Sequence, residues 1–136
     1  MDCIFCKIVA GAIPSHKIYE DDATLAFLDI NPASRGHALV ISKHHAEHIY
    51  DMPVDALYAV AQATQRVARR LRQVVQPDGL NVIQNNGAAA GQSVFHYHVH
   101  LIPRQRGDRV MQAWKPGATD HAALGALAAE LRDAGA

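Results

Sequence analysis

Residues 93–104 read Ser-Val-Phe-His-Tyr-His-Val-His-Leu-Ile-Pro-Arg, with histidines at 96, 98 and 100 and Phe95, Tyr97, Val99 and Leu101 between and around them. Successive side chains of a β-strand point to opposite faces, so period-two alternation predicts a strand over 94–102. His96, His98 and His100 share one face of it, and the four apolar residues line the face that anchors in a core. At about 3.3 Å per residue, neighbouring histidines stand about 6.6 Å apart and the outer pair about 13 Å. Zinc holds nitrogen ligands at about 2.0–2.1 Å, so one ion cannot collect all three from a regular strand. At least one imidazole has other work. A lone strand histidine is ordinarily a solvated polar position; three in register point instead to imidazole chemistry. Neutral imidazole is a nucleophile near pH 7 when one ring nitrogen is held as the donor and the other presents its lone pair. Phosphorus is a suitable electrophile.

The preceding loop fits that chemistry. Gly87, three alanines and Gly91 let backbone N–H groups approach a ligand closely, and Gln92 and Ser93 add side-chain donors, which suits phosphoryl oxygens. Thirteen residues of each charge sign leave no net charge, so there is no basic surplus for a nucleic-acid backbone. No apolar run is long enough to span a bilayer, and the N-terminus lacks the pattern of a signal peptide. The expectation is a cytoplasmic protein that binds neither nucleic acid nor membrane, with its two cysteines as thiols or metal ligands.

Elsewhere, Ile4, Phe5, Ile8 and Val9 recur at helical spacing up to Gly11. His16 to Asp29 reads as a β-hairpin around Glu20-Asp21-Asp22, and a loop marked by Asn31-Pro32 and Gly36 leads to the strand His37-Ala-Leu-Val-Ile-Ser42. From Pro53 to about Gln76, Leu57, Val60, Ala61, Thr64, Ala68, Leu71 and Val75 form one face of a long helix. Leu80 to Asn85 is a further strand, and an Ala/Leu-rich helix follows Asp120. Strands and helices that do not strictly alternate favour an α+β antiparallel sheet. One domain is expected, with residues 1–104 as its core and 105–136 as a C-terminal segment of the same unit.

The segment His96-Tyr97-His98-Val99-His100-Leu101-Ile102 resembles the histidine triad motif, and the preceding Gly-Gln-Ser-Val-Phe strengthens the match. Similarity to the histidine triad (HIT) family, in its bacterial Hint-like nucleotide-binding branch, continues through Asp2 to Ile8, Ala12-Ile13-Pro14, Leu25 to Ile30, Gly36 to Ile41 and Asn85-Asn86-Gly87. The resemblance implies a five-stranded antiparallel sheet with one long helix and a short N-terminal helix, dimerising into a larger sheet. It implies hydrolysis or transfer at the α-phosphorus of a purine nucleotide, with no organic cofactor. His98 would attack and carry the nucleotidyl group; His100 and His37 would assist with charge and protons. Ser93 and the backbone from Gln92 to Val94, next to Gly91, would hold the phosphoryl oxygens or leaving group, and Asn85 would orient that region. Asp29 would accept from the ribose hydroxyls. Phe5, Ile8, Ile30 and Leu39 would form the slot for the base. The same resemblance extends to dinucleoside polyphosphate hydrolases, and a nucleotide-sensing protein with incidental turnover is a reading from another class.

Cys3-x-x-Cys6 poses its own question. No strand precedes it to make a thioredoxin-type setting, and His44-x-x-x-His48 lies too far along for a zinc finger. In some relatives a structural zinc is held by two cysteines, a histidine after the third strand and the first triad histidine. The resemblance so implies Cys3, Cys6, His45 and His96, four ligands that close a tetrahedron. His44 stands beside His45 as an alternative, and this chain has Ser42-Lys43-His44-His45 where many relatives have Pro-Lys-x-His.

Overall fold

A computed structural model describes residues 2–135. In chain order the elements are α1 (Ile4–Val9), β1 (Lys17–Glu20), β2 (Thr24–Leu28), β3 (Ala38–Ser42), α2 (Val54–Val75), β4 (Gly79–Gln84), β5 (His98–Arg104) and α3 (His121–Asp133). The strands form one antiparallel sheet in the order β1-β2-β3-β5-β4. This is the expected α+β architecture.

The period-two pattern of β3 assigns its two faces. Ala38 and Val40 pack beneath α2 with Val60, Ala63, Val67, Leu71, Val99 and Leu101. Leu39 and Ile41 face the other way, where α1 brings Phe5 and Ile8 against Leu25 and Phe27. Wholly buried aliphatics such as Leu25, Ile41 and Leu101 are each worth about 1.5–3 kcal/mol relative to exposure. With both faces covered, every residue of β3 is buried. The α2 face differs from the sequence-based one: Ala63 and Val67 are buried, whereas Ala61 is exposed. Alanine is too weakly apolar to fix a helix's rotation; contact with the sheet does that.

The histidine segment also differs. β5 begins at His98, so residues 94–97 are not part of the strand, because the Tyr97 amide donates to the Ala46 carbonyl (2.7 Å) rather than to a neighbouring strand. Tyr97, Val99 and Leu101 are buried as expected, while Phe95 is exposed. Pairing places His100 opposite Leu39 and His98 opposite Ile41, on the side covered by α1.

Two local features hold the site's loops. Cys3 caps α1, its sulfur accepting from the Cys6 amide at 3.4 Å. Gly36, at φ +88°, turns the chain into β3 where a Cβ would stand 2.9 Å from Val75 Cγ2. α3 has no buried residue, and Leu124, Leu127, Leu131 and Trp114 are exposed. Among the described residues no helix is long and apolar enough to cross a membrane.

Candidate active site

A cavity of about 440 Å³ opens between α1, the end of β2 and the start of β5. Phe5, Ile8, Ile30 and Leu39 line it, as do Asp29, Ser93, Val94, His98 and His100. Nine of the residues singled out by sequence therefore meet in one place. Sequence reasoning missed Ile4, Ile13, Phe27 and Leu28, which line the same space; their signal was only apolarity, shared with every core residue.

Hydrogen bonds fix the ring tautomers. A carbonyl can only accept, so the 2.6 Å contact of His98 Nδ1 with the His96 oxygen makes Nδ1 the protonated nitrogen. His98 Nε2 keeps its lone pair. An amide N–H can only donate, so Ala33 N–H bonding to His37 Nδ1 at 2.9 Å puts the His37 proton on Nε2. That proton faces His100 Nδ1 at 2.9 Å, which leaves the His100 proton on its own Nε2. His98 and His100 lie with ring centroids 4.9 Å apart, closer than the strand rise because the rings lean together. Phe5 packs edge-on against His98 at 5.1 Å.

Burial keeps these rings neutral. It lowers the pKa of His37 and His98, and with the neighbouring His98 and His37 it brings His100 down to about 4. Asp29 Oδ1 accepts from the Asn31 amide at 2.8 Å and so shapes the turn, while Oδ2 lies 3.6 Å from His37 Nε2. Asp29, His37 and His100 place their donor atoms close enough to suggest a metal site. The proton on His37 Nε2 makes that group a hydrogen-bonded cluster instead.

The glycine-bearing loop departs from expectation. Its amides at Gly87, Ala90, Gly91 and Gln92 bond within the loop, which closes as a 3-10 turn on the Gly87 carbonyl. Gln92 is buried, its side-chain nitrogen donating to the Glu47 and Val94 carbonyls. It braces the loop rather than offering a donor to a ligand. Asn85 and Gly91 also stand back from the cavity, the Asn85 carbonyl accepting from Gln84 Nε2 at 3.1 Å. Ser93 and Val94 are the loop residues that reach the cavity.

Beside the cavity, Cys3, Cys6, His45 and His96 bring one donor atom each within 4.8 Å of the others. His96 Nδ1 lies 3.4 and 3.6 Å from the two sulfurs and 3.1 Å from His45 Nδ1; Cys6 Sγ lies 3.3 Å from His45 Nδ1. A tetrahedron with zinc–sulfur bonds of about 2.3 Å and zinc–nitrogen bonds of about 2.05 Å has S···N edges of about 3.5 Å and N···N edges of about 3.3 Å. These four separations match that figure. His96 Nε2 meets the Ser42 carbonyl at 2.6 Å, so Nε2 is the donor and Nδ1 turns a lone pair into the group. This outer contact is a usual companion of metal-bound histidine. His44 stands outside the group, its amide bonded to Ser42 Oγ.

The HIT domain family matches residues 10–107. The chain belongs to the HIT family. Among its HIT relatives, adenosine 5'-monophosphoramidase HNT1 of Saccharomyces cerevisiae is 42% identical over 130 residues, covering 95% of this chain and 80% of its own. The structure of SMU.412c from Streptococcus mutans UA159 superposes with a TM-score of 0.92 at 45% identity, covering 96% of this chain and 83% of that one. A Zn-bound histidine triad protein from Mycobacterium smegmatis superposes with a TM-score of 0.77 at 40% identity, covering 96% and 98%. HIT-family relatives thus include a named hydrolase and a zinc-bound protein.

Proposed function

We propose that this protein is a nucleotide hydrolase or nucleotidyl transferase acting at the α-phosphorus of a purine nucleoside 5'-phosphoramidate or related nucleotide, through a covalent intermediate on His98. The observation that carries the reading is the His98 tautomer: Nδ1–H is tied to the His96 carbonyl, and Nε2 keeps a lone pair in a cavity that also holds Asp29. The phosphoramidase name of a relative with 42% identity supports the substrate class.

In this reading the base lies against Phe5, Ile8, Ile30 and Leu39, and Asp29 Oδ2 accepts from the ribose hydroxyls. The His98 Nε2 pair forms a bond to phosphorus as the bond to the leaving group breaks. The departing nitrogen keeps that electron pair and takes up a proton. Water then attacks phosphorus and loses a proton, and the pair of the P–Nε2 bond returns to His98. His100 Nε2–H, held by His37, donates to a phosphoryl oxygen, with Ser93 beside it. These residues are positioned before the reaction, where a fixed donor contributes most. Splitting one displacement into two is the gain from a covalent nucleophile.

Cys3, Cys6, His45 and His96 would hold a structural zinc ion, supported by the tetrahedral donor spacing and the zinc-bound relative. When bound it cross-links α1, the turn after β3 and the segment leading to His98, without an open position for substrate. A homodimer is supported by the open edge of the sheet at β4, where Val82 is exposed, and by exposed Tyr58 and Val54 on α2. A cytoplasmic location accords with cysteines that serve as metal ligands. The test is turnover of adenosine phosphoramidate and of diadenosine polyphosphates by native protein and His98→Ala. The reading requires phosphoramidate turnover by the native protein and its loss in the variant; equal turnover by the two refutes it.

A further inference from the structure

Ser15 Oγ is the one buried side-chain nitrogen or oxygen without a hydrogen-bond partner among the described residues. A buried hydroxyl left unpaired is costly, and folded chains keep few of them. The residue lines the cavity that holds Phe5, Asp29 and His98. Its backbone is fixed on both sides. The ring of Pro14 locks the φ of the residue before it, and the His16 carbonyl after it accepts the Leu28 amide at 3.0 Å, one residue short of Asp29. Rotation about Cα–Cβ is the freedom that remains, and its staggered positions swing the oxygen between the wall and the cavity.

The other polar side chains of this cavity divide by place. His98, His100 and Ser93 stand where the phosphoryl group is proposed to react, Asp29 is assigned to the ribose, and Asn31 is exposed. Around the base, Phe5, Ile8, Ile30 and Leu39 offer no hydrogen bond. A purine entering that slot gives up water at its ring nitrogens and exocyclic group, an unfavourable exchange unless a partner replaces it. Ser15 supplies one. A hydroxyl donates to a ring nitrogen or a carbonyl oxygen and accepts from an amino group.

We infer that Ser15 is the residue that reads the base: its hydroxyl turns into the cavity and hydrogen-bonds a polar atom of the bound purine, a contact that serves adenine and guanine alike. The inference rests on the proposed nucleotide reading of this cavity. Its test measures, by calorimetry, binding of adenosine and guanosine 5'-monophosphates and of indole riboside 5'-monophosphate to native protein and Ser15→Ala. The indole nucleotide keeps the flat two-ring shape and lacks every hydrogen-bonding atom of the purine. Ser15→Ala should bind both purine nucleotides about tenfold more weakly, the scale of a buried polar atom left without its partner, and the indole nucleotide as the native protein does. Without nucleotide, its urea midpoint should equal or exceed the native one, because no bond within the protein is lost. Nucleotide binding with a purine-to-indole ratio unmoved by Ser15→Ala, or a Ser15→Ala midpoint well below the native one, overturns the role of Ser15 and leaves the nucleotide reading standing. A loss for one purine alone overturns the shared contact. A native protein that binds none of the three at millimolar concentration overturns both the role of Ser15 and the nucleotide reading.

Discussion

Replacing Gly36 by alanine separates two physical demands at the turn into β3. Gly36 has φ +88°, a conformation that costs an L-residue about 1–2 kcal/mol. An added Cβ would also lie 2.9 Å from Val75 Cγ2 and 3.3 Å from both Leu71 Cδ2 and Pro103 Cγ. Overpacking a filled site typically costs about 1–3 kcal/mol, and Val75, branched at Cβ, yields less than a long side chain would. Gly36→Ala should therefore lose about 2–4 kcal/mol, a large share of the roughly 5–15 kcal/mol that holds a domain together. Urea unfolding reads this as a lower midpoint at unchanged m-value. In Gly36→Ala/Val75→Ala the contact is relieved but the backbone strain is kept, so the double variant should lose about 1 kcal/mol less than the two single losses added together. A Gly36→Ala midpoint equal to the native one would refute the argument for both strain and contact. The next residue is His37, so the same substitution should also slow turnover.

Acid should destabilise the protein through its buried imidazoles. The His100 pKa is about 4 when folded against 6.5 as its ordinary value, so between those pH values the unfolded chain binds more protons. Its contribution is full above pH 6.5, is lost as pH falls towards 4, and amounts to about 3 kcal/mol; urea midpoints across that window should vary less in His100→Gln. Metal analysis should find one zinc per native chain, undiminished in His44→Ala and lost in Cys3→Ser and His45→Ala. Sedimentation should find native dimers and monomeric Val82→Lys, since a charge at the exposed β4 edge opposes strand pairing.

The apolar run after Gly36 made β3 legible, alternation did so for the start of the hairpin, and Pro53 and Asp120 marked where α2 and α3 begin. Other features lay outside any local pattern. Tyr97 leaves the ladder because a carbonyl distant in sequence, that of Ala46, takes its amide. Nothing in the alternation from Phe95 to Leu101 signals this. The residues of the cavity were named largely by resemblance, whereas the tautomers rest on backbone groups of Ala33, Ser42 and His96 that carry no sequence signal. Gln92 shows the converse error. Its amide, read as a ligand donor, is drawn inward by the Glu47 and Val94 carbonyls. The choice between His44 and His45 likewise depends on the turn after Ser42, whose hydroxyl takes the His44 amide.

The covalent intermediate is the central claim. Native protein mixed with adenosine phosphoramidate, quenched within the first turnover in alkaline denaturant and weighed intact, should carry one added adenylyl group that maps to His98. His98→Ala should carry none. Native turnover with no adduct, or an adduct that persists in His98→Ala, would contradict the account.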